Sequence, residues 1–333
     1  MSATDGGAES RCTRRLVYLA RTSSDVEEAV RLALPPDWDL DVIRDTTEPH
    51  AKQSLEAADF VVVVNVPLPA SAVAQLHHAH LVVHQGVGYD SVDTSALHEF
   101  EIPFCITPEG TTETVADHTI LLMLACSRYL LPVHEEVSQQ GKWPTWQYRS
   151  KAFGLQGTSV GLVGFGRIAQ AVTQRLLAME AAVRVYVGAE RSVASEWRAR
   201  GVEVEKSLSN LFQECRVVSL HLPLTAETQG LIDLDLLQQM PAGSILVNTA
   251  RGGLTTDAAL AKAITDGPLV GVGLDVLERE PPNRANPLLS LPNVLVTPHL
   301  ASGTRESLEA KIGSIVDNCW RAIQQEPLRN QVL

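Results

Sequence analysis

The sequence predicts an α/β protein made of two doubly wound, parallel-sheet domains separated by a cleft. Three observations carry that reading. Short continuous apolar runs, Val61-Val62-Val63-Val64 the clearest, suit strands buried on both faces. Such runs alternate with helical stretches, which implies βαβ units and parallel pairing. The chain has 333 residues, more than a single core usually accommodates.

Taken in order, Arg15–Ala20 reads as the first strand and Asp25–Ala33 as the helix after it. Ala58–Val66 holds the valine run, and His80–His84 is a further strand leading into Gly86-Val87-Gly88-Tyr89-Asp90. From Thr111 to Leu131, the residues Val115, Ile120, Leu121, Leu122, Met123 and Leu124 make one long helix that is apolar almost all round. That predicts burial between layers. Trp143–Arg149 has no clear period and reads as an arm or loop. A second strand series begins at Thr158 and continues through Val183–Val187, Val217–Leu220, Ile245–Asn248, Leu269–Leu274 and Val294–Thr297. The last helix, Thr304 to Gln324, is long enough to return to the first domain. The expected domains are therefore 1–112 plus 302–333, discontinuous, and 113–301.

Bulk properties exclude several classes. The formal net charge of −12 argues against a nucleic-acid partner, which needs a basic face. The local cluster Arg11, Arg14 and Arg15 reads as part of a solvated tail. Five cysteines (Cys12, Cys105, Cys126, Cys215, Cys319) are odd in number and scattered, which suits free thiols in a reducing compartment. The first residues lack the apolar stretch of a secretion signal, and the run Thr119–Cys126 is too short to span a bilayer. A cytoplasmic protein without membrane contact is expected.

Val160-Gly161-Leu162-Val163-Gly164-Phe165-Gly166-Arg167-Ile168-Ala169 is an apolar strand entering a Gly-x-Gly-x-x-Ala turn and then a helix. Gly164 permits the tight turn, Gly166 lets backbone approach a pyrophosphate, and Ala169 allows close helix–strand packing. The helix start offers unpaired N–H groups to phosphate. This is a Rossmann-like dinucleotide site, with Gly164 to Ile168 as cofactor-binding residues. An NAD-selective enzyme usually has an acidic residue at the end of the next strand. Here Val187-Gly188-Ala189 stands in that place and Arg191-Ser192 follow, which favours the 2′-phosphate of NADP(H) over NAD(H). Glu190 weighs against that preference.

Three apolar strands of the second half end in polar residues: Asn248-Thr249-Ala250-Arg251-Gly252-Gly253, Asp275 through Glu280-Pro281-Pro282, and Thr297-Pro298-His299. Strand C-termini line the ligand crevice of open α/β sheets, so Arg251, Glu280 and His299 can converge. Reduction of a 2-keto acid needs a cation for its carboxylate, a donor polarising the keto oxygen and an acid to deliver a proton. Arginine suits the first because its fork binds carboxylate bidentately and keeps its charge. Histidine beside a carboxylate suits the last.

With these motifs in view, the chain resembles the D-isomer-specific 2-hydroxyacid dehydrogenases. The likeness spans residues from about 80 to 310. It rests on Gly86–Asp90, Val115-Ala116-Asp117-His118, the glycine turn, His221-Leu222-Pro223-Leu224-Thr225, Asn248–Gly253, Leu274–Pro282 and Thr297–Thr304. The resemblance implies that Arg251 binds and polarises the keto acid, and that His299 donates the proton with Glu280 as partner. It implies that the backbone at Val87 and Gly88 grips the substrate carboxylate. It also implies that Asp275 holds the nicotinamide carboxamide, and that His221, Thr249 and Ala250 line the cofactor cleft. A homodimer built on the nucleotide domains, with the 143–150 arm contributing, is implied as well. The expected partner is a small 2-keto or 2-hydroxy acid of the glyoxylate or hydroxypyruvate kind. Phosphoglycerate dehydrogenase is the nearer alternative, though Asn65-Val66-Pro67-Leu68 offers no cation for a phosphate. An NAD(H)-sensing corepressor on the same fold is the other. His77, His78 and His80 read as a surface helix end rather than a metal cluster. His118 and His221 read as packing or backbone-bonded histidines.

Overall fold

The computed structural model describes residues 14–188 and 193–333. The chain divides into two compact units, one running through Thr111 and resuming at Arg305–Leu333, the other Thr112–Thr304.

The first unit is built on β1 (Arg14–Leu19), β2 (Trp38–Ile43), β3 (Phe60–Val63), β4 (Leu81–His84) and β5 (Phe104–Ile106). Their order is β2-β1-β3-β4-β5 and every neighbouring pair is parallel. Successive side chains point to opposite faces, so the sheet makes two cores. Leu16, Tyr18, Phe60, Val62, Leu81 and Val83 meet Ile312, Ile315 and Cys319 of the helix Arg305–Gln324 on one face. Val17, Leu19, Val61, Val63 and Val82 pack with Leu55 and Leu97 on the other. Each such fully buried aliphatic side chain contributes roughly 1.5–3 kcal/mol.

Two of these strands escaped the sequence reading. In β2, Asp39 and Asp41 alternate with Trp38, Leu40 and Val42, as befits an edge strand with one wetter face. In β5 only three residues are extended, and its open edge is covered by the C-terminal tail. Val332 N–H donates to Phe104 O at 2.8 Å, and Ile106 N–H to Asn330 O at 3.1 Å.

The second unit has seven strands: β6 (Ser159–Val163), β7 (Ala182–Tyr186), β8 (Glu203–Val204), β9 (Val217–Leu220), β10 (Ser244–Asn248), β11 (Leu269–Leu274) and β12 (Val294–Val296). The order β12-β11-β10-β9-β6-β7-β8 is parallel throughout and reverses direction of winding between β6 and β9. That reversal is where open α/β sheets leave a crevice at their C-terminal strand ends.

The single buried helix expected over 111–131 is corrected by the structure. It ends at Ser127, Tyr129 turns left-handed at φ 53°, and a second helix occupies Leu130–Ser138. Pro132 explains the break, since a proline cannot continue the first helix past its own i−4 carbonyl. Nor is the helix buried all round. Leu122 and Cys126 lie on β11, where a Cβ at Gly273 would stand 2.9 Å from Leu122 Cβ and one at Gly271 3.2 Å from Cys126 Cβ. Leu121, Leu130 and Leu131 are exposed instead.

Candidate active site

The glycine turn follows β6 directly. Gly164 has φ +97°, and a Cβ there would sit 2.6 Å from the His221 carbonyl oxygen, so the position requires glycine. Gly166 caps the helix Arg167–Ala178. A Cβ on Gly166 would meet nothing within 4 Å, which leaves open space at that helix start. Space over unpaired N–H groups fits a dinucleotide pyrophosphate. Ala169, in the first turn of that helix, is buried as expected. Gly161 makes room for another helix, Leu208–Glu214, since its Cβ would lie 2.9 Å from both Cys215 Sγ and Leu211 Cγ. The side chains of Phe165 and Ile168 pack onto the core, Phe165 edge-on to Trp197, so what these two offer a cofactor is backbone.

Around the turn, His221 N–H donates to Val163 O at 2.8 Å and its Nε2 lies 3.0 Å from Ser219 Oγ. Burial pushes this imidazole down to about 4, so it is neutral at neutral pH. Thr249 Oγ1 is 2.8 Å from Thr119 Oγ1. Val187 and Gly188 follow β7 with no acid between them. Arg191 and Ser192 lie outside the described residues.

The catalytic candidates are brought together by adjacent strands. Asn248, Leu274 and Val296 are register neighbours across β10, β11 and β12, so the segments beyond them leave the sheet side by side. Asn248, fully buried, folds the first of these loops: its Oδ1 accepts from Ala250 N at 3.0 Å and its Nδ2 donates to Arg251 O at 2.8 Å. This loop-setting role was not assigned from the sequence, although a buried asparagine at a strand end is its signal. Gly252 then passes so close to the next loop that a Cβ would fall 1.9 Å from Leu277 O.

On that next loop, Glu280 Oε1 accepts from Leu277 N–H at 3.1 Å and Glu280 Oε2 lies 2.8 Å from His299 Nδ1. Burial opposes ionisation of Glu280. The His299 hydrogen bond and charge, the Leu277 N–H and the Arg251 charge outweigh it and hold the carboxyl below its ordinary range. For His299 the Glu280 hydrogen bond dominates and raises the imidazole above 6.5, against burial and the Arg251 charge. The pair therefore favours imidazolium beside carboxylate, with Nε2 left for a ligand. Arg251 influences both partners electrostatically, and its Nη1 donates to Ala250 O at 2.7 Å.

His299 has φ 52°, a left-handed conformation that costs a residue with a Cβ on the order of 1 kcal/mol. Asp275 surrounds that turn with acceptors. Its carbonyl takes His299 N–H at 2.8 Å, Oδ1 takes Leu300 N–H at 2.8 Å, and Oδ2 takes Ala301 N–H at 2.9 Å. Thr297 Oγ1 adds a donor to Oδ1 at 2.7 Å. The carboxylate is 1% exposed, and these contacts serve the 297–301 loop. His118, expected to pack or bond backbone, instead places Nε2 2.9 Å from Thr297 Oγ1. Val87 and Gly88 stand in the loop after β4 of the first unit, Val87 exposed. Among the described residues no group of three His, Cys, Asp or Glu side chains is placed to hold a metal ion.

The chain is similar to known proteins over most of its length. A sequence profile described as "D-isomer specific 2-hydroxyacid dehydrogenase, NAD binding domain" matches residues 120–301. A glyoxylate reductase of Korarchaeum cryptofilum is 32% identical over 287 residues, 84% of this chain and 85% of that protein. A D-3-phosphoglycerate dehydrogenase of Archaeoglobus fulgidus is 35% identical over 267 residues, 79% of this chain; the match spans 49% of that relative's length. The crystal structure of TT0316 from Thermus thermophilus superposes with a TM-score of 0.83 at 31% identity, covering 96% of this chain and 100% of that one. The chain belongs to the D-isomer-specific 2-hydroxyacid dehydrogenase family, nicotinamide-dependent oxidoreductases acting on the CH–OH group of their donors.

Proposed function

We propose that this chain interconverts a small 2-keto acid and its D-2-hydroxy acid, with glyoxylate or hydroxypyruvate as the preferred kind of substrate. The observation that carries the reading is the His299–Glu280 pair, 2.8 Å apart on the strand end next to Arg251. A bound nicotinamide supplies the hydride. Arg251 holds the keto acid by its carboxylate and polarises the keto oxygen. His299 delivers the proton to that oxygen from Nε2, while Glu280 on Nδ1 keeps the imidazole charged and aimed. Gly166 and the start of the helix Arg167–Ala178 seat the pyrophosphate.

An uncharged substrate tail is supported by the loop 65–68, in which Val66 and Leu68 are buried. Arg21, whose N–H bonds Asn65, has its guanidinium committed to Asp45 at 2.9 Å. NADPH is preferred over NADH on this reading, because no acid at Val187 or Gly188 is present to bind the ribose hydroxyls. The protein works as a homodimer whose interface includes exposed Leu130, Leu131, Trp143 and Trp146. It works in the cytoplasm, a reading supported by four buried free thiols; no helix among the described residues is long and apolar enough to cross a membrane.

Steady-state reduction of glyoxylate, hydroxypyruvate, pyruvate and phosphohydroxypyruvate with each cofactor tests the proposal. Glyoxylate or hydroxypyruvate with NADPH is expected to give the highest kcat/KM, and His299→Ala to lower kcat at least a hundredfold. Highest kcat/KM on phosphohydroxypyruvate would assign the phosphoglycerate reaction instead. A tenfold preference for NADH would overturn the cofactor reading.

A further inference from the structure

We infer that His118 and Thr297 are positioning residues for the proton donor, acting through Asp275 on the backbone turn that carries His299. The inference rests on His299 being the acid, as proposed above, and adds two residues that touch neither substrate nor the His299 ring.

The argument is one of donors. Thr297 Oγ1 has one proton and two acceptors in reach, Asp275 Oδ1 at 2.7 Å and Leu274 O at 3.3 Å. The shorter, charge-assisted bond to Asp275 takes it. The hydroxyl lone pairs then face His118 Nε2 at 2.9 Å, so that nitrogen must carry a hydrogen. A directed chain results, from His118 Nε2–H to Thr297 Oγ1–H to the Asp275 carboxylate. Leu300 N–H shares Oδ1 with Thr297 and Ala301 N–H takes Oδ2, both just beyond left-handed His299.

This nearly unexposed carboxylate, with His118 Nε2 3.8 Å from Oδ1 and beyond direct hydrogen-bond reach, depends on such donors. Removing the Thr297 donor leaves Oδ1 to the Leu300 N–H alone, and the turn at His299 loses part of the restraint that offsets its left-handed φ. His118 can supply its donor rigidly because of where it sits. It shares a helix face with Leu122 and Cys126, one and two turns on, and these are the residues packed against Gly273 and Gly271 of β11. The face that anchors the helix on β11 thus also delivers His118 to the end of β12.

The test combines kinetics with amide hydrogen exchange of residues 297–301 in the cofactor-free protein. The variants are His118→Leu, His118→Gln, Thr297→Val and the double variant His118→Leu/Thr297→Val. His118→Leu is expected to lower kcat about tenfold, the scale of one hydrogen bond, with the cofactor KM unchanged. Exchange at Leu300 and Ala301 should speed up by a similar factor. His118→Gln, which keeps an N–H donor, should recover most of both effects. The double variant should be no worse than Thr297→Val alone, because the two residues act in series. Unchanged exchange in His118→Leu, or losses that add in the double variant, would overturn the inference. So would faster exchange with undiminished kcat. Should His118→Leu not fold, Thr297→Val against Thr297→Ser decides by the same two readouts, serine keeping the hydroxyl. A wild-type protein inactive on every 2-keto acid would remove the His299 assignment, while exchange would still report whether His118 holds the turn.

Discussion

Gly252→Ala is the sharpest probe of how the site is assembled. The added Cβ would lie 1.9 Å from Leu277 O, 2.0 Å from Leu277 C and 2.6 Å from Glu278 N, all backbone atoms. Ordinary contact requires roughly 1.5 Å more than the shortest of these, so one loop must move by that amount. No rotamer change can relieve it. Overpacking of this kind costs about 1–3 kcal/mol, and a backbone target places Gly252 at the upper end, about 3 kcal/mol. The catalytic consequence is larger than the stability loss suggests, because the two loops forced apart carry Arg251 and Glu280. A misplacement of about 1 Å can lower turnover about a hundredfold. Gly253→Ala is the matched control, since the atoms nearest its Cβ belong to the flexible Leu224 side chain, from 3.0 Å. Urea denaturation and kcat measured on both variants decide the matter. Gly252→Ala should lose about 3 kcal/mol and two orders of magnitude in kcat, with Gly253→Ala within 1 kcal/mol and threefold of wild type. Equal behaviour of the two alanine variants would refute the close-approach argument.

Two further perturbations follow from titration. The His299 imidazole sits above 6.5 because of its Glu280 hydrogen bond, so kcat for reduction should be level below the raised value and fall as pH rises through it. Oxidation of the hydroxy acid should show the opposite limb, and Glu280→Gln should move the break to lower pH; an unmoved break would detach Glu280 from the acid. A histidine raised on folding also stabilises the fold below its unfolded value, and that contribution disappears as pH climbs through the folded one. Burial lowers Lys311 from 10.5 to about 8, so charging it opposes folding below about pH 8, and the penalty fades as pH approaches 10.5. The stability of the wild type relative to Lys311→Met should therefore rise between pH 7 and pH 10.5, by at most about 3 kcal/mol. Thermal denaturation of both proteins at the two pH values checks this, and an unchanged difference would contradict it.

What was legible in the sequence was whatever repeats or runs continuously. The valines of β3, the strand ends at Asn248, Leu274 and Val296, and the glycine turn all announce themselves through unbroken apolar stretches or obligatory glycines. The three strands that went unseen are short or wet on one side: β8 has two residues, β5 three, and β2 interleaves aspartates. The helix break at Tyr129 was obscured because its apolar flanks continue the helical pattern, while the decisive signal, Pro132, falls after the break. In the site, Arg251, Glu280 and His299 could be named because each residue type has a distinct chemical use. Thr297 and His118 could not, because a hydroxyl that relays one hydrogen bond looks like any other threonine until its neighbours have coordinates. Spacing of more than 170 positions between His118 and Thr297 leaves no local pattern to read.

The burial of the four cysteines among the described residues gives the chain an internal gauge of its own opening. Cys105 and Cys319 belong to the first unit, Cys126 and Cys215 to the second. Burial raises Cys105 and Cys126 to about 12 and Cys215 to about 11, and lifts Cys319 still further. Thiolate, the form that alkylates, is accordingly scarce at neutral pH while the fold stays closed. Tracking which of the four sulfurs acquires a mass tag, and when, therefore tells apart the loosening of one unit from that of the other without any engineered probe.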